Sequence, residues 1–173
     1  MGNNLKNVEV NMADFKTMAT DVGALLKDKG QTVAVAESSS GGIISAALLA
    51  VPGASAYFKG GGVCYTGDSK QILIAVSDAA MGEARAATKT HALHLARAAR
   101  ERLGADWGIG ETGAAGPTGN RYGDPPGHTC IGVVGPDAEQ AIAIATGSEN
   151  RGENMEVFAR EALDLLVECL QRD

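Results

Sequence analysis

The stretch TVAVAESSSGGIISAALLA, residues 32–50, constrains the fold most: an apolar run passes directly into serines and glycines, then into a second apolar run. Thr32 to Ala36 reads as a short buried strand, and Gly41 to Ala50 as a small apolar helix. The serines therefore stand at a strand-to-helix junction. A serine there can simply cap the helix. Alternatively, the outward-pointing amides of Ser39, Ser40, Gly41 and Gly42 can stabilise an oxyanion or a phosphate, with the glycines admitting a ligand to the backbone. The pattern is not Gly-x-Ser-x-Gly, so a nucleophile elbow of the α/β-hydrolase type is not supported.

The same alternation continues along the chain. Phe15, Met18, Val22, Leu25 and Leu26 recur at helical spacing and predict a helix over Met12 to Lys29, stopped by Gly30. Pro52, Gly53 and the glycines at 60–62 break regularity; Val63 to Thr66 reads as a strand and Lys70 to Ala75 as a short helix. SDAAMGEA reads as a loop, Ala86 to Leu103 as a helix, and DWGIGET as the start of a third strand. A glycine- and proline-rich loop, TGAAGPTGNRYGDPPGH, follows; loops of such length in compact domains are often functional. Strands at Cys130 to Val134 and Ala141 to Ala145 and a helix from Asn154 to Leu170 close the chain. This order predicts an α/β fold, a layered sheet with an antiparallel pair near its end. Residues 1–11, polar and rich in Asn, read as a flexible N-terminus, and residues 12–173 as a single domain.

Charge narrows the function classes. Fifteen Lys and Arg against 21 Asp and Glu give −6, with no basic cluster, which argues against nucleic acid or an anionic membrane as partner. A single mononucleotide phosphate remains compatible, because backbone amides can hold it. Cys64, Cys130 and Cys169 are odd in number and widely spaced, as expected of reduced thiols in a cytoplasmic protein. No apolar run approaches the roughly 20 residues of a membrane span. His91 and His94 lie three apart on a helix, but lack a carboxylate or thiol cluster to complete a metal site.

Three further places can carry chemistry. Tyr65, near a strand end, and Lys70, just after it, can face one cleft; a lysine beside a tyrosine favours the phenolate, and such a pair can take a serine proton without histidine. Taken singly, Tyr65 reads as core edge and Lys70 as a surface cation. Thr112 and Gly113 sit where a strand runs into the glycine loop, and strand ends in an open sheet gather on one rim, which would join Ser38, Tyr65 and Thr112; a plain connector is the alternative. Arg151, just before the last helix, can pair with a phosphate or carboxylate of a ligand, or with a surface acid.

AESSSGG, VPGASAYFKGG, CYTGDSK, TGAAGP and TGSENR before a terminal helix, in that order and spacing, resemble the C-terminal domain of the CinA competence/damage-inducible family, over about residues 12 to 170. The resemblance implies a three-layer α/β/α sandwich with a mixed, mostly parallel sheet, commonly assembled as a homo-oligomer. It also implies an amidohydrolase that needs no metal or organic cofactor and converts nicotinamide mononucleotide to nicotinate mononucleotide and ammonia. The family's serine nucleophile falls on Ser38, its activating tyrosine and lysine on Tyr65 and Lys70, and its mobile arginine on Arg151. Family members commonly carry Cys-Thr where this chain has Ser39-Ser40, and Asn-Glu-Ala-Lys where it has Gly67-Asp68-Ser69-Lys70. The NRYGD loop, with Arg121, Tyr122 and Asp124, replaces a shorter glycine run, and a second basic residue near Arg151 is missing. Those departures leave open a related small amide as substrate, or a catalytically silent nucleotide-binding protein.

Overall fold

The computed structural model describes residues 12–172, so the N-terminal segment read as flexible lies outside the described residues. In chain order the elements are α1 (Met12–Lys29), β1 (Val33–Glu37), α2 (Ile43–Leu49), a single 3₁₀ turn (Ala54–Ala56), β2 (Phe58–Val63), α3 (Gly67–Ile74), α4 (Asp78–Glu83), α5 (Lys89–Leu103), β3 (Trp107–Ala114), β4 (His128–Val134), β5 (Glu139–Ala145) and α6 (Arg151–Arg172). The five strands form one sheet in the order β2-β1-β3-β4-β5. β1 pairs in parallel with β2 and β3, whereas β4 runs antiparallel to both neighbours, so four of the five strands point the same way. The sheet is thus mixed and mostly parallel, with helices on both faces.

Alternation along the strands divides the core. Val33, Val35, Trp107, Ile109, Ile131 and Val133 pack towards α1, α2 and α6, where Val22, Leu26, Ile44, Leu48, Leu163 and Leu166 complete the larger cluster. Burying each such aliphatic side chain contributes about 1.5–3 kcal/mol. Ala34 and Ala36 face the other way, onto Leu95 and Ala99 of α5, Ile74 of α3 and Cys64.

That second face is built by omission of side chains. A Cβ on Gly108 would lie 2.0 Å from the Ala96 carbonyl oxygen, and one on Gly110 2.1 Å from that of Ala92. The α5 backbone rests directly on the sheet at these points. Gly110→Ala is expected to lower the unfolding free energy by the overpacking cost of about 1–3 kcal/mol, read as a lower urea midpoint. An unchanged midpoint would show that α5 can lift away freely.

Several boundaries differ from the sequence reading, each for a local reason. The second strand is Phe58–Val63, not Val63 to Thr66: the glycine triplet lies inside it, since a Cβ on Gly61 would meet Ser45 Oγ at 2.2 Å. Glycine here marks close approach rather than a break. SDAAMGEA is not a loop but holds α4, started by Ser77, whose hydroxyl accepts from the Ala80 N–H at 3.2 Å. Six residues are too few to display helical periodicity. α5 begins at Lys89 rather than Ala86 because Thr88 caps it, accepting from the His91 N–H. α6 begins at Arg151, which makes that residue the first of the helix rather than a residue before it.

Candidate active site

The connection from β1 to β2 leaves on one side of the sheet and that from β2 to β3 returns on the other, so the strand order reverses between β1 and β3. Ligand crevices in open α/β sheets form at the carboxyl ends of strands at such a point. Here β1 ends at Glu37 and the serines follow; beside it β3 carries Glu111.

Glu37 and Glu111 are both fully buried and organise the serine turn between them. Glu111 accepts from the N–H of Ser38 (3.1 Å) and of Ser40 (2.8 Å), and from the hydroxyls of Ser39, Ser40 (2.9 Å) and Thr129 (2.6 Å). Glu37 accepts from the N–H of Gly42 (2.9 Å), Ile44 (3.0 Å) and Ser45 (2.8 Å) and from the hydroxyl of Ser45, and it shares with Glu111 the single hydrogen of the Ser40 hydroxyl. The amide cradle expected over Ser39 to Gly42 is therefore already half filled by protein carboxylates, because Ser40 and Gly42 donate to Glu111 and Glu37. Among the described residues the N–H groups of Ser39 and Gly41 have no acceptor. Capping by a serine is not what starts α2, since its N-cap is Gly42 with no side-chain bond. Of the three serine hydroxyls, that of Ser38 alone has no hydrogen-bond partner among the described residues.

The second half of the site lies on the α5 side. Lys70 is 4% exposed, which rules out a surface cation, and Tyr65 is 59% exposed, which rules out core edge. A capping box between Thr66 and Ser69 starts α3 and carries Lys70 inward. Its Nζ lies 3.0 Å from His91 Nε2, and His91 Nδ1 lies 3.1 Å from the Ala84 carbonyl oxygen. A carbonyl only accepts, so Nδ1 carries the proton, Nε2 offers a lone pair, and Lys70 is the donor. Burial, reinforced by the Lys70 charge, pushes His91 down to about 4, so the ring is neutral at pH 7. Burial likewise lowers Lys70 from the ordinary lysine range, against the pull of Cys64 and Glu111. Through Glu111, Lys70 is electrostatically tied to the carboxylate that anchors the serine turn.

Arg151 links the glycine loop after β3 to Tyr65. Its guanidinium donates to the Gly116 carbonyl at 2.7 Å and approaches the Tyr65 phenol oxygen at 3.5 Å; among the described residues no surface acid is its partner. Tyr65 and Lys70 line one cleft of about 350 Å³, together with His91, Arg85, Arg121 and Tyr122. Ser38 is not part of that lining. Hollows of about 390 and 510 Å³ lie beside α5 and β5, away from the serines.

The NRYGD loop is a folded unit. Asn120 accepts from the N–H groups of Tyr122 and Asp124, and Asp124 receives Arg85 through two bonds of 2.6 and 3.1 Å. The Arg85 hydrogen bond holds the Asp124 carboxyl well below the usual range, at about 2. The guanidiniums of Arg85 and Arg121 both lie over the Tyr122 ring, 5.0 and 4.9 Å from its centre.

Thr112 and Gly113 make contacts within the frame. The Thr112 hydroxyl accepts from the Ala87 N–H at 3.1 Å, and Gly113 packs against β4, where a Cβ would meet the His128 carbonyl oxygen at 2.4 Å. Sequence reasoning missed Glu37 and Glu111 as organising residues, although a glutamate in each of two apolar strands was a readable sign of buried charge. It also left His91 without a role, because its partner lies 21 residues away. His91 and His94 do not face a shared site: His94 Nε2 stands 3.0 Å from a Glu83 carboxylate oxygen. Cys64, Cys130 and Cys169 are buried and unpaired. No helix among the described residues is long and apolar enough to cross a membrane.

Known proteins share this arrangement of chain and fold. A CinA-like protein of Synechococcus elongatus is 40% identical over 160 residues, 91% of this chain and 38% of that protein. The chain thus spans less than two-fifths of the length of that relative. The competence/damage inducible protein CihA of Agrobacterium tumefaciens superposes with a TM-score of 0.85 at 27% identity, covering 95% of this chain and 99% of that one. A CinA superfamily protein of Klebsiella pneumoniae superposes equally well, 0.85, at 23% identity, over 92% of this chain and 99% of that one, a likeness of fold. The model of the CinA C-terminal domain matches residues 15–170, and the chain belongs to that family.

Proposed function

We propose that this chain hydrolyses the carboxamide of nicotinamide mononucleotide, releasing ammonia and nicotinate mononucleotide, with Ser38 as nucleophile. The observation that carries the reading is the contrast within the serine turn: Ser39 and Ser40 are tied to buried carboxylates, while the Ser38 hydroxyl is unengaged at the end of β1. Ser38 Oγ attacks the carboxamide carbon, and its proton passes to the Tyr65 and Lys70 pair. The developing oxyanion is received by the N–H groups of Ser39 and Gly41, a narrower set than the sequence suggested. Ammonia leaves with a proton returned by the pair, and water then attacks the Ser38 ester and frees the carboxylate. Arg151, in contact with Tyr65, closes the substrate end of the rim. The reaction as written draws on no metal or organic cofactor, and a homo-oligomer in the cytoplasm is the setting we propose for it.

The test is ammonia release from nicotinamide mononucleotide by the purified protein, with a chelator present. Release that resists the chelator supports the reading. No release, with the nucleotide still raising Tm, would favour a silent binding protein, a reading to which the exclusion of Ser38 from the Lys70 cleft gives some weight. Neither effect would point to another small amide.

His91 has a place in this chemistry as a positioning residue. Because Nε2 can only accept, Lys70 must spend a hydrogen there, and the lone pair of the neutral amine is turned away from α5. His91→Phe is expected to lower kcat by on the order of 10² with little change in KM. Loss of an acceptor for the ammonium also lowers the Lys70 pKa, so the acid limb of the pH–kcat profile should move to lower pH. A fall in kcat without that displacement would mean a packing role alone.

A further inference from the structure

The cleft between Tyr65, Lys70 and the NRYGD loop has a one-sided charge. Lys70, Arg85 and Arg121 line it, and among the described residues no Asp or Glu does, although the chain as a whole carries −6. The three cations are not equivalent. Lys70 is buried and donates to His91, and the charge of Arg85 is met by the two Asp124 bonds. Arg121 has no carboxylate partner among the described residues; its guanidinium donates to the Tyr122 phenol at 2.7 Å and lies over that ring. Four of its five N–H donors remain for a ligand.

The surroundings fix this free guanidinium rather than leave it as an ordinary surface side chain. Asn120 and Asp124 close the loop, Asp124 clasps Arg85, Arg85 lies over Tyr122, and Tyr122 holds Arg121 by its ring and its hydroxyl. A planar donor fork held on an aromatic ring matches a tetrahedral oxyanion better than a lysine does. The cleft of about 350 Å³ is at the small end of the size range of ligand pockets and is open to solvent, as a site for a polar group on a small molecule requires.

We infer that Arg121, oriented by Tyr122, is an anion-recognition residue that takes a phosphate monoester group of a ligand seated in the Tyr65–Lys70 cleft. The inference rests on the proposed reading for the rest of the ligand. In that setting the NRYGD loop supplies a cation in place of the second basic residue missing near Arg151.

Titration calorimetry on the full chain, with ribose 5-phosphate, ribose and inorganic phosphate as probes, tests this without using catalysis. Wild type should bind ribose 5-phosphate, with ribose undetectable; Arg121→Ala should weaken it about tenfold or more, and Arg121→Lys by less. Tyr122→Leu, which keeps the charge but removes its support, should fall between wild type and Arg121→Ala. If inorganic phosphate binds as tightly as the ester and shows the same dependence on Arg121, the anion site stands and its source is free phosphate. Undiminished binding in Arg121→Ala, or no binding of any phosphate by wild type, overturns the inference. Failure of the deamidase reading looks different: no ammonia from nicotinamide mononucleotide, yet phosphate affinity that still follows Arg121. Conversely, ammonia release whose KM is the same in Arg121→Ala would sink the anion site alone. Arg121 is exposed and bonded only within its own loop, so loss of folding does not confuse these outcomes.

Discussion

Ser38→Ala is expected to take ammonia release below detection, by a factor on the order of 10⁶, the size of loss seen when a nucleophilic serine is removed. Its stability should remain within about 0.5 kcal/mol of wild type, because the Ser38 hydroxyl has no partner among the described residues and the Glu111 bond uses the backbone N–H, which alanine keeps. The neighbouring serines should behave in the opposite sense. Ser40→Ala strips one hydroxyl from both Glu37 and Glu111, and Ser39→Ala strips one from Glu111, so each should destabilise by about 1–3 kcal/mol while retaining measurable turnover. Activity assays and urea midpoints on the three variants therefore cross. If Ser39→Ala were the inactive and stable variant, the nucleophile would be misassigned.

Glu111→Ala should be the most damaging change to the fold. One side chain receives five donors, two backbone N–H groups and three hydroxyls, of which that of Ser40 is shared with Glu37, in a place without solvent. Each buried donor left unsatisfied costs about 1–3 kcal/mol, and even partial rescue by entering water leaves a loss of about 4 kcal/mol or more. That is a large part of the roughly 5–15 kcal/mol that holds a domain of this size folded. Glu111→Gln should be little better, since the amide brings two N–H donors to a site already filled with donors. Urea unfolding of both variants checks this; a loss under about 1 kcal/mol in each would mean that the serine turn does not depend on Glu111.

Much of the architecture was legible because hydrophobic spacing reports which face of an element is buried. The stripe of Met18, Val22 and Leu26 lies where that spacing placed it, and the apolar strands read at 32–36 and 130–134 fall on β1 and β4 within one or two residues at their ends. Glycine misled, because the same residue serves for breaking a strand and for letting a neighbour touch it. Gly60 to Gly62 looked like an interruption, and nothing nearby in sequence reveals that Ser45 lies against Gly61. Within the site, Ser38, Tyr65, Lys70 and Arg151 were named from sequence; Tyr65 and Lys70 line one cleft and Arg151 reaches the Tyr65 phenol, whereas Ser38 lies outside that lining. What stayed hidden were pairings of distant residues: Glu111 with the serines, His91 with Lys70, and Arg85 with Asp124. Each depends on sheet topology, which periodicity does not encode.

The two faces of the sheet differ in compliance. Against α1, α2 and α6 the sheet is lined by Val, Ile and Trp side chains, which can change rotamer and take up a small change in volume. Against α5 it meets helix backbone at Gly108 and Gly110 with nothing between. That contact acts as a mechanical stop, fixing the height of α5, and of the imidazole it carries, by the contact of one rigid backbone on another rather than by adjustable side chains. Sequence drift in the larger cluster can therefore be absorbed there before it reaches Lys70, and the half of the molecule that tolerates change is insulated from the half that does not.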